Sequence, residues 1–114
     1  MSRKKIKVTA LMGGMEALNG LVRCHFSSWT TARRMAKFYA EVAEEAEAIA
    51  RAADELNREF PERRGDEYAR RAAIIEAGEV ELETVTLTEA DFLSAADIPS
   101  PADMYLLSGI VEFE

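Results

Sequence analysis

The chain has 114 residues, of which 48% are hydrophobic and 31% are charged, and this balance excludes a disordered or fibrous chain and predicts one globular domain over residues 1–114. Cys24 is the single cysteine, so an intrachain disulfide is excluded. The longest uncharged run, "CHFSSWTTA", is far shorter than the ~20 apolar residues of a membrane span, and no secretory cleavage pattern follows the N-terminus. We therefore expect a soluble, cytoplasmic protein with no membrane partner.

Charge is distributed unevenly along the chain. The net charge is −7, but residues 1–37 hold eight Lys or Arg and one Glu, a balance of +7, whereas residues 38–114 hold six Arg and twenty acids, a balance of −14. No basic residue follows Arg71. Internal pairing of the two parts would explain this asymmetry, and so would a partner of matching charge. We favour internal pairing.

The first predicted elements are a strand and a helix. The segment "KKIKVTA" alternates Ile6 and Val8 with lysines, which is the period of a half-buried strand. A helix is predicted next from apolar residues at four-three-four spacing, which are Leu11, Met15, Leu18 and Val22.

The longest predicted element is a helix in "ARRMAKFYAEVAEEAEAIARAADELNREF", which runs from Ala32 to Phe60 without proline or glycine and which Ser27 or Ser28 can cap. One face carries apolar residues at alternating spacings of three and four. We call its large members the seam: Met35, Tyr39, Val42, Ile49, Leu56 and Phe60. A helix from about Trp29 to Phe60 would be about 48 Å long, which exceeds the width of so short a compact chain. We therefore predict that the seam forms core and also a coiled-coil interface of a homo-oligomer.

The remaining elements complete the predicted fold. A shorter helix is predicted after Asp66, which can cap it, and Gly78 stops it, which makes a helical hairpin; "TEADFLSA" and "PSPADMYLLSG" predict short helices. The segment "EVELETVTL" predicts an acidic strand with a bulge near Thr84, where the apolar phase changes, and "IVEFE" predicts a closing strand. A basic N-terminal strand placed between the two acidic strands avoids opposed like charges. The predicted fold is therefore α+β: a long helical hairpin packed with a small antiparallel three-stranded sheet.

The order of these parts resembles a family of small uncharacterised phage and prophage proteins. The resemblance lies in the "KIKV" strand, "MEALNGL", the long charged hairpin, "EVELETVTLTEADF" and "SPADMYLLSGIVEFE", and it covers nearly the whole chain. It implies a phage or prophage setting and no activity, catalytic residue or cofactor.

The residues that could carry chemistry are better explained by structure. Cys24 and His25 are adjacent and unique, so they cannot supply spaced metal-ligand pairs, and side chains at i and i+1 point apart on a helix. The acidic group in "EVAEEAE" lacks the Glu-x-x-His of helical di-metal sites and is read as a solvated face. We therefore predict no catalytic residue, no cofactor and no metal.

These observations predict a non-enzymatic interaction or assembly protein of phage or prophage origin, with a phage or host protein as a further partner. One alternative is a nucleic-acid-associated regulator in which Arg33, Arg34 and Lys37 contact phosphates. A pI of about 4.8 opposes that alternative, because an acidic protein repels nucleic acid. A second alternative is an acidic decoy that binds a basic host protein through the region after Arg71.

Overall fold

The computed structural model describes residues 3–83 and 85–114, and the fold is α+β and mostly helical. In chain order, the elements are β1 Arg3–Lys7, α1 Val8–Val22, α2 Trp29–Glu59, α3 Asp66–Glu76, β2 Glu79–Glu83, β3 Thr86–Leu87, α4 Glu89–Leu93, α5 Pro101–Leu107 and β4 Glu112–Phe113.

The predicted first strand and helix are confirmed, with a different boundary and a buried face that matches the predicted one in part. Strand β1 ends at Lys7, and α1 begins at Val8, whose amide donates to the Gly78 carbonyl over 3.0 Å. Val22 is 39% exposed, so its predicted place in the buried stripe is wrong. The face that packs instead includes Gly14, where an added Cβ would lie 3.3 Å from Ile110 Cδ1. Helix α5 and the turn after it therefore approach α1 on its glycine side.

Helix α2 begins at Trp29 and is capped by Ser28, both as predicted. The Ser28 side chain accepts a hydrogen bond from the Thr31 amide over 3.5 Å, which satisfies one of the amides left unpaired at a helix start. The first half of α2 packs into the main core through Met35, Phe38 and Val42. Phe38, at 2% exposure, lies beside the predicted seam rather than in it.

The predicted three-stranded antiparallel sheet is wrong, because the described strands form two separate pairs. Strands β1 and β2 are antiparallel and place Lys5 opposite Glu81 and Lys7 opposite Glu79, which confirms the predicted pairing of the basic strand with the first acidic strand. Strand β4 pairs in parallel with β3, so Glu112 lies opposite Thr86 rather than beside β1. The bulge predicted near Thr84 falls outside the described residues.

The predicted helical hairpin is present, and its far end extends beyond the rest of the molecule. We call residues 50–76 the arm and the remaining residues the body. The molecule measures 51 × 27 × 19 Å with a radius of gyration of 16.3 Å, compared with about 13 Å for a compact chain of this length. Leu56 is buried, yet it lies outside the main core cluster. The arm therefore has a small apolar cluster of its own.

The turn of the arm depends on one glycine. Gly65 immediately precedes α3 with φ of 108°, a conformation that side chains with a Cβ rarely adopt. Asp66, predicted as the cap, is instead the first helical residue. There its carboxylate complements the positive end of the helix dipole.

Candidate interaction surfaces

A groove lies along the arm between α2 and α3, and we call it the arm groove. It has a volume of about 490 Å³. Its apolar part includes Ala52, Leu56, Ile74 and Ile75. Ile74 is 60% exposed, although an isoleucine on a helical hairpin is ordinarily covered by a neighbour. Half of the groove lining is thus apolar, and the arm does not cover this apolar part itself.

The charged side chains beside the arm groove carry both signs. Arg70 Nη2 donates to Glu67 Oε1 over 2.5 Å, and Arg71 Nη1 donates to Glu59 Oε2 over 2.6 Å. The hydrogen bond from Arg70 is the main cause that lowers the pKa of Glu67. Glu55 also lines the groove. The rim is therefore a mixture of fixed acids and bases.

The structure divides the predicted seam between the body and the arm. Met35 and Val42 are buried in the main core, and Leu56 is buried in the arm. Tyr39 is half-buried and its hydroxyl donates to Asn19 Oδ1 over 3.1 Å, while Ile49 is half-buried against the main core. The half-buried Phe60 ring lies 6.1 Å from the ring of Tyr68 in an edge arrangement. None of the six side chains is fully exposed, so most of the seam is covered within the chain.

The predicted phosphate-contact residues lie near the start of α2, but they differ in their surroundings. Arg34 donates to Asp91 Oδ1 over 3.1 Å and to the Thr86 carbonyl over 3.4 Å, so it helps to hold the body together. Arg33 and Lys37 make no ion pair within residues 3–83 and 85–114. Together with Trp29, which is 78% exposed, they line an open cavity of about 310 Å³. Trp29 is not among the phosphate-contact residues predicted from the sequence.

A second apolar groove lies in the body, and we call it the C-terminal groove. Its volume is about 240 Å³, and its lining residues are Leu87, Glu89, Phe92, Ile98, Pro99, Met104, Phe113 and Glu114. The Phe92 and Phe113 rings lie 6.0 Å apart, and Phe92 is also 5.7 Å from the Phe26 ring. The sequence predicts only an acidic region here. It does not predict the groove, because the residues that form it come from several short elements.

Asp91 links α4 to α2 beside this groove. Burial of its carboxylate opposes ionisation, but hydrogen bonds from Thr31 and Thr88 and the charge of Arg34 outweigh burial and lower the pKa of Asp91. The Thr88 side chain accepts from the Asp91 amide and the Asp91 carboxylate accepts from the Thr88 amide, which is a capping box. The charged Asp91 side chain therefore connects α4 to α2, and we call this connection the joint.

The residues considered for catalysis or metal binding are placed apart or occupied. Cys24 is buried and its thiol donates to the Gly20 carbonyl over 3.5 Å; burial first and the charge of Asp97 second raise the pKa of this thiol, which makes it a poor nucleophile. His25 lies outside α1, exposed and with φ of 54°. Glu41 pairs with Arg3, and Glu47 pairs with Arg51. Within the described part of the chain, no three His, Cys, Asp or Glu residues form a group that could hold a metal ion.

Among the described residues, none of the helices combines the length and the apolar character that crossing a bilayer requires.

Comparisons with known proteins gave no relative for this chain: no protein-family model, no curated protein and no solved structure matches it significantly.

Proposed function

We propose that this chain is a non-enzymatic assembly protein of phage or prophage origin that forms a homodimer through the arm groove. The observation that carries this proposal is the exposure of Ile74 over an apolar groove on an arm that extends from the body. A two-helix hairpin leaves one apolar side uncovered, and a second hairpin packed against it makes a four-helix bundle. A second copy is thus the simplest cover for the groove.

The charges beside the groove suit a copy of the same surface. In a twofold dimer, each residue of one copy meets a residue of the other in a reciprocal way. The groove lining carries Glu55 and Glu67 as well as Arg70 and Arg71, so acids of one arm can lie against bases of the other. Ala48, Ala52, Ala69 and Ala73 are exposed on the arm or next to it, and small side chains allow two helices to approach closely. A partner of one charge sign would fit this rim less well.

The mass in solution tests the proposal. Light scattering after size exclusion at micromolar concentration should give about 25 kDa, which is twice the single-chain 12.7 kDa. Ile74→Glu should give the single-chain mass, because it removes the exposed apolar contact and would force a charged carboxylate to leave water when the interface closes. The matched control is Leu93→Glu, which changes an 82% exposed residue of α4 and should leave the dimer intact.

A constant single-chain mass across the concentration range, or an equal effect of both substitutions, would contradict the dimer. The phage or prophage setting has a separate test. Capsid or tail genes beside the gene for this chain would support it, and an unrelated chromosomal neighbourhood would count against it.

The exposed Trp29 favours one further candidate function, the binding of single-stranded nucleic acid. Trp29, Arg33 and Lys37 are spaced four residues apart along α2, so they share one helix face. Sequence-tolerant binding to single strands combines an aromatic surface for base stacking with cations for the phosphates. The acidic remainder of the chain opposes this candidate, because the net charge is −7.

Anisotropy of a labelled oligothymidine and of a labelled duplex at low and moderate salt tests this candidate. We expect the single strand to bind better, and we expect Trp29→Ala and Arg33→Ala each to weaken the binding about tenfold. Arg58→Ala is the control, because Arg58 is an exposed arginine near the other end of the same helix. Equal loss with Arg58→Ala, or no binding at low salt, would exclude it.

A further inference from the structure

The C-terminal groove differs from the arm groove in its charge. Its floor is formed by half-buried aromatic and aliphatic side chains, Phe92, Met104 and Phe113, above the fully buried Leu87. Ile98 stands at its side with 64% of its surface exposed. The two charged residues in its lining are both acids, Glu89 and Glu114. The groove is therefore apolar at the centre and negative at the rim.

The acids around this groove are not neutralised within the described residues. The region after Arg71 contains ten acids and no Lys, Arg or His. Four of these ten already face cations: Glu79, Glu81 and Glu83 lie opposite β1, and Asp91 binds Arg34. Glu89, Glu114 and the neighbouring Asp97 and Glu112 make no ion pair within residues 3–83 and 85–114. Internal pairing thus explains part of the charge asymmetry and leaves the groove rim uncompensated.

We propose that the C-terminal groove binds a basic segment of another protein that carries one large apolar anchor. The anchor, an aliphatic or aromatic side chain, would lie between Phe92, Met104 and Phe113, and Lys or Arg residues on either side of it would pair with Glu89 and Glu114. Charge complementarity selects this partner, because an acidic rim repels nucleic acid and an acidic peptide alike. The large central side chain supplies affinity by leaving water, and the flanking charges supply specificity.

This inference is independent of the proposed dimer, because the two grooves share no residue. The expected partner segment is basic, whereas the arm groove of a second copy carries both acids and bases at its rim. A second copy could compete for the C-terminal groove through the exposed Trp29 with Arg33, and the experiment must distinguish that occupant.

The experiment measures the fluorescence anisotropy of a labelled hexapeptide in which a Leu-Phe pair is flanked on each side by two Lys residues. Two comparison peptides replace the Leu-Phe pair by Ser-Ser or the lysines by glutamates. We expect the first peptide to bind in the micromolar range and each comparison peptide to bind at least about tenfold more weakly. Moderate salt should weaken the first peptide, because the rim charges are exposed to solvent.

Substitutions then locate the site. Ile98→Ser should weaken binding about tenfold by removing apolar contact, and the double variant Glu89→Gln/Glu114→Gln should weaken it about fivefold at low salt. The matched controls are Leu93→Ser and Glu76→Gln, which change an exposed leucine and an exposed glutamate outside the groove lining. Ile74→Glu should bind the peptide as the unmodified chain does, whether or not the dimer exists.

Three results would overturn the inference. The first is no binding of the lysine-flanked peptide at millimolar concentration. The second is equal binding of the glutamate-flanked peptide or an equal loss in the control variants. The third is a mass above the single-chain value that persists in Ile74→Glu and is lost in both Ile98→Ser and Trp29→Ala, since a second copy would then be the occupant of the groove.

Discussion

The hydroxyl of Thr31 donates a hydrogen bond to Asp91 Oδ1 over 2.6 Å, and this contact joins the first turn of α2 to the first turn of α4. Thr31 is 3% exposed and is the polar residue buried most completely among those described. Within residues 3–83 and 85–114, its hydroxyl has that carboxylate as its one hydrogen-bond acceptor. The body therefore depends on one charged side chain that serves Thr31, Arg34 and Thr88 together.

Replacing Asp91 should remove this joint. We expect Asp91→Asn to lower the free energy of unfolding by about 2 kcal/mol, because an amide keeps the shape but cannot accept from all three donors. Chemical denaturation at neutral pH measures the change. Asp97→Asn, at an exposed acid a few residues away, is the control and should change the stability by less than about 0.5 kcal/mol. Equal effects would show that Asp91 is not a joint.

The same carboxylate predicts a dependence of stability on pH. The folded pKa of Asp91 is lowered, and the unfolded value is about 3.9. Its contribution is therefore complete above the unfolded value and is lost as the pH falls through the lowered folded value. The difference in unfolding free energy between the unmodified chain and Asp91→Asn should be largest near neutrality and should shrink below about pH 4. A difference that stays constant down to about pH 2 would contradict the assignment.

The charges that face each other across β1 and β2 can be tested as a pair. Lys5→Glu places like charges opposite each other at Glu81, and Glu81→Lys does the same at Lys5. Each single variant should lower the stability by about 0.5 kcal/mol, and the double exchange should restore most of it. The coupling should decline in about 1 M salt, because both side chains are exposed. Simple additivity of the two losses would remove charge pairing as the reason for this register.

The two ends of the seam predict unequal effects of a buried charge. Val42 is 0% exposed in the main core, so Val42→Asp should lower the unfolding free energy by about 4 kcal/mol or more. Ile49 is half-buried, so Ile49→Asp should cost about half as much. Thermal unfolding measures both. Ala40→Asp, at an exposed site on the same helix and outside the arm, should cost less than about 1 kcal/mol. Unchanged stability in the first two variants would remove the seam from the core.

Neighbouring glycines of α1 should respond in opposite directions. An added Cβ at Gly13 meets no atom within 4 Å, so Gly13→Ala should stabilise the chain by about 1 kcal/mol through helix propensity. Gly14 faces Ile110 and the Leu106 carbonyl, so Gly14→Val should destabilise it by about 2 kcal/mol through overpacking. Denaturation midpoints measure both effects. A destabilising Gly13→Ala would show that α1 is packed on both sides.

The pairing of opposite charges predicted the β1–β2 pair correctly from the sequence but not the β3–β4 pair, for a physical reason. The rule that like charges should not face each other is satisfied by β1 against β2. It does not require β4 to lie beside β1, because β4 meets the same condition beside Thr86, whose hydroxyl donates to Glu112 Oε2 over 3.3 Å. Electrostatics therefore allows β4 to lie either beside β1 or beside β3. The structure has β4 parallel to β3, with Ile110 and Val111 packed into the core.

The seam was predicted as one stripe because its spacing is regular, but its neighbours change along α2. In the body, the helix meets α1 and β2, so both Phe38 and Tyr39 find contacts although they point about 100° apart. In the arm, α3 is the neighbour and the stripe narrows to Leu56. The surfaces with candidate functions were less predictable, because the C-terminal groove combines residues from four short elements and from the segment between α4 and α5. A one-dimensional pattern does not show such convergence.

Because the two helices of the arm are antiparallel, the length of the arm can change without a change in the fold of the body. Its two helices enter and leave the body side by side, and at its base the Val8 amide is held by the carbonyl of Gly78. Removing or adding matched turns on α2 and α3 would alter how far the tip stands from the body without altering a residue of the main core. Insertions or deletions can therefore lengthen or shorten the arm. Chains with the same body can then differ in the distance that the arm reaches.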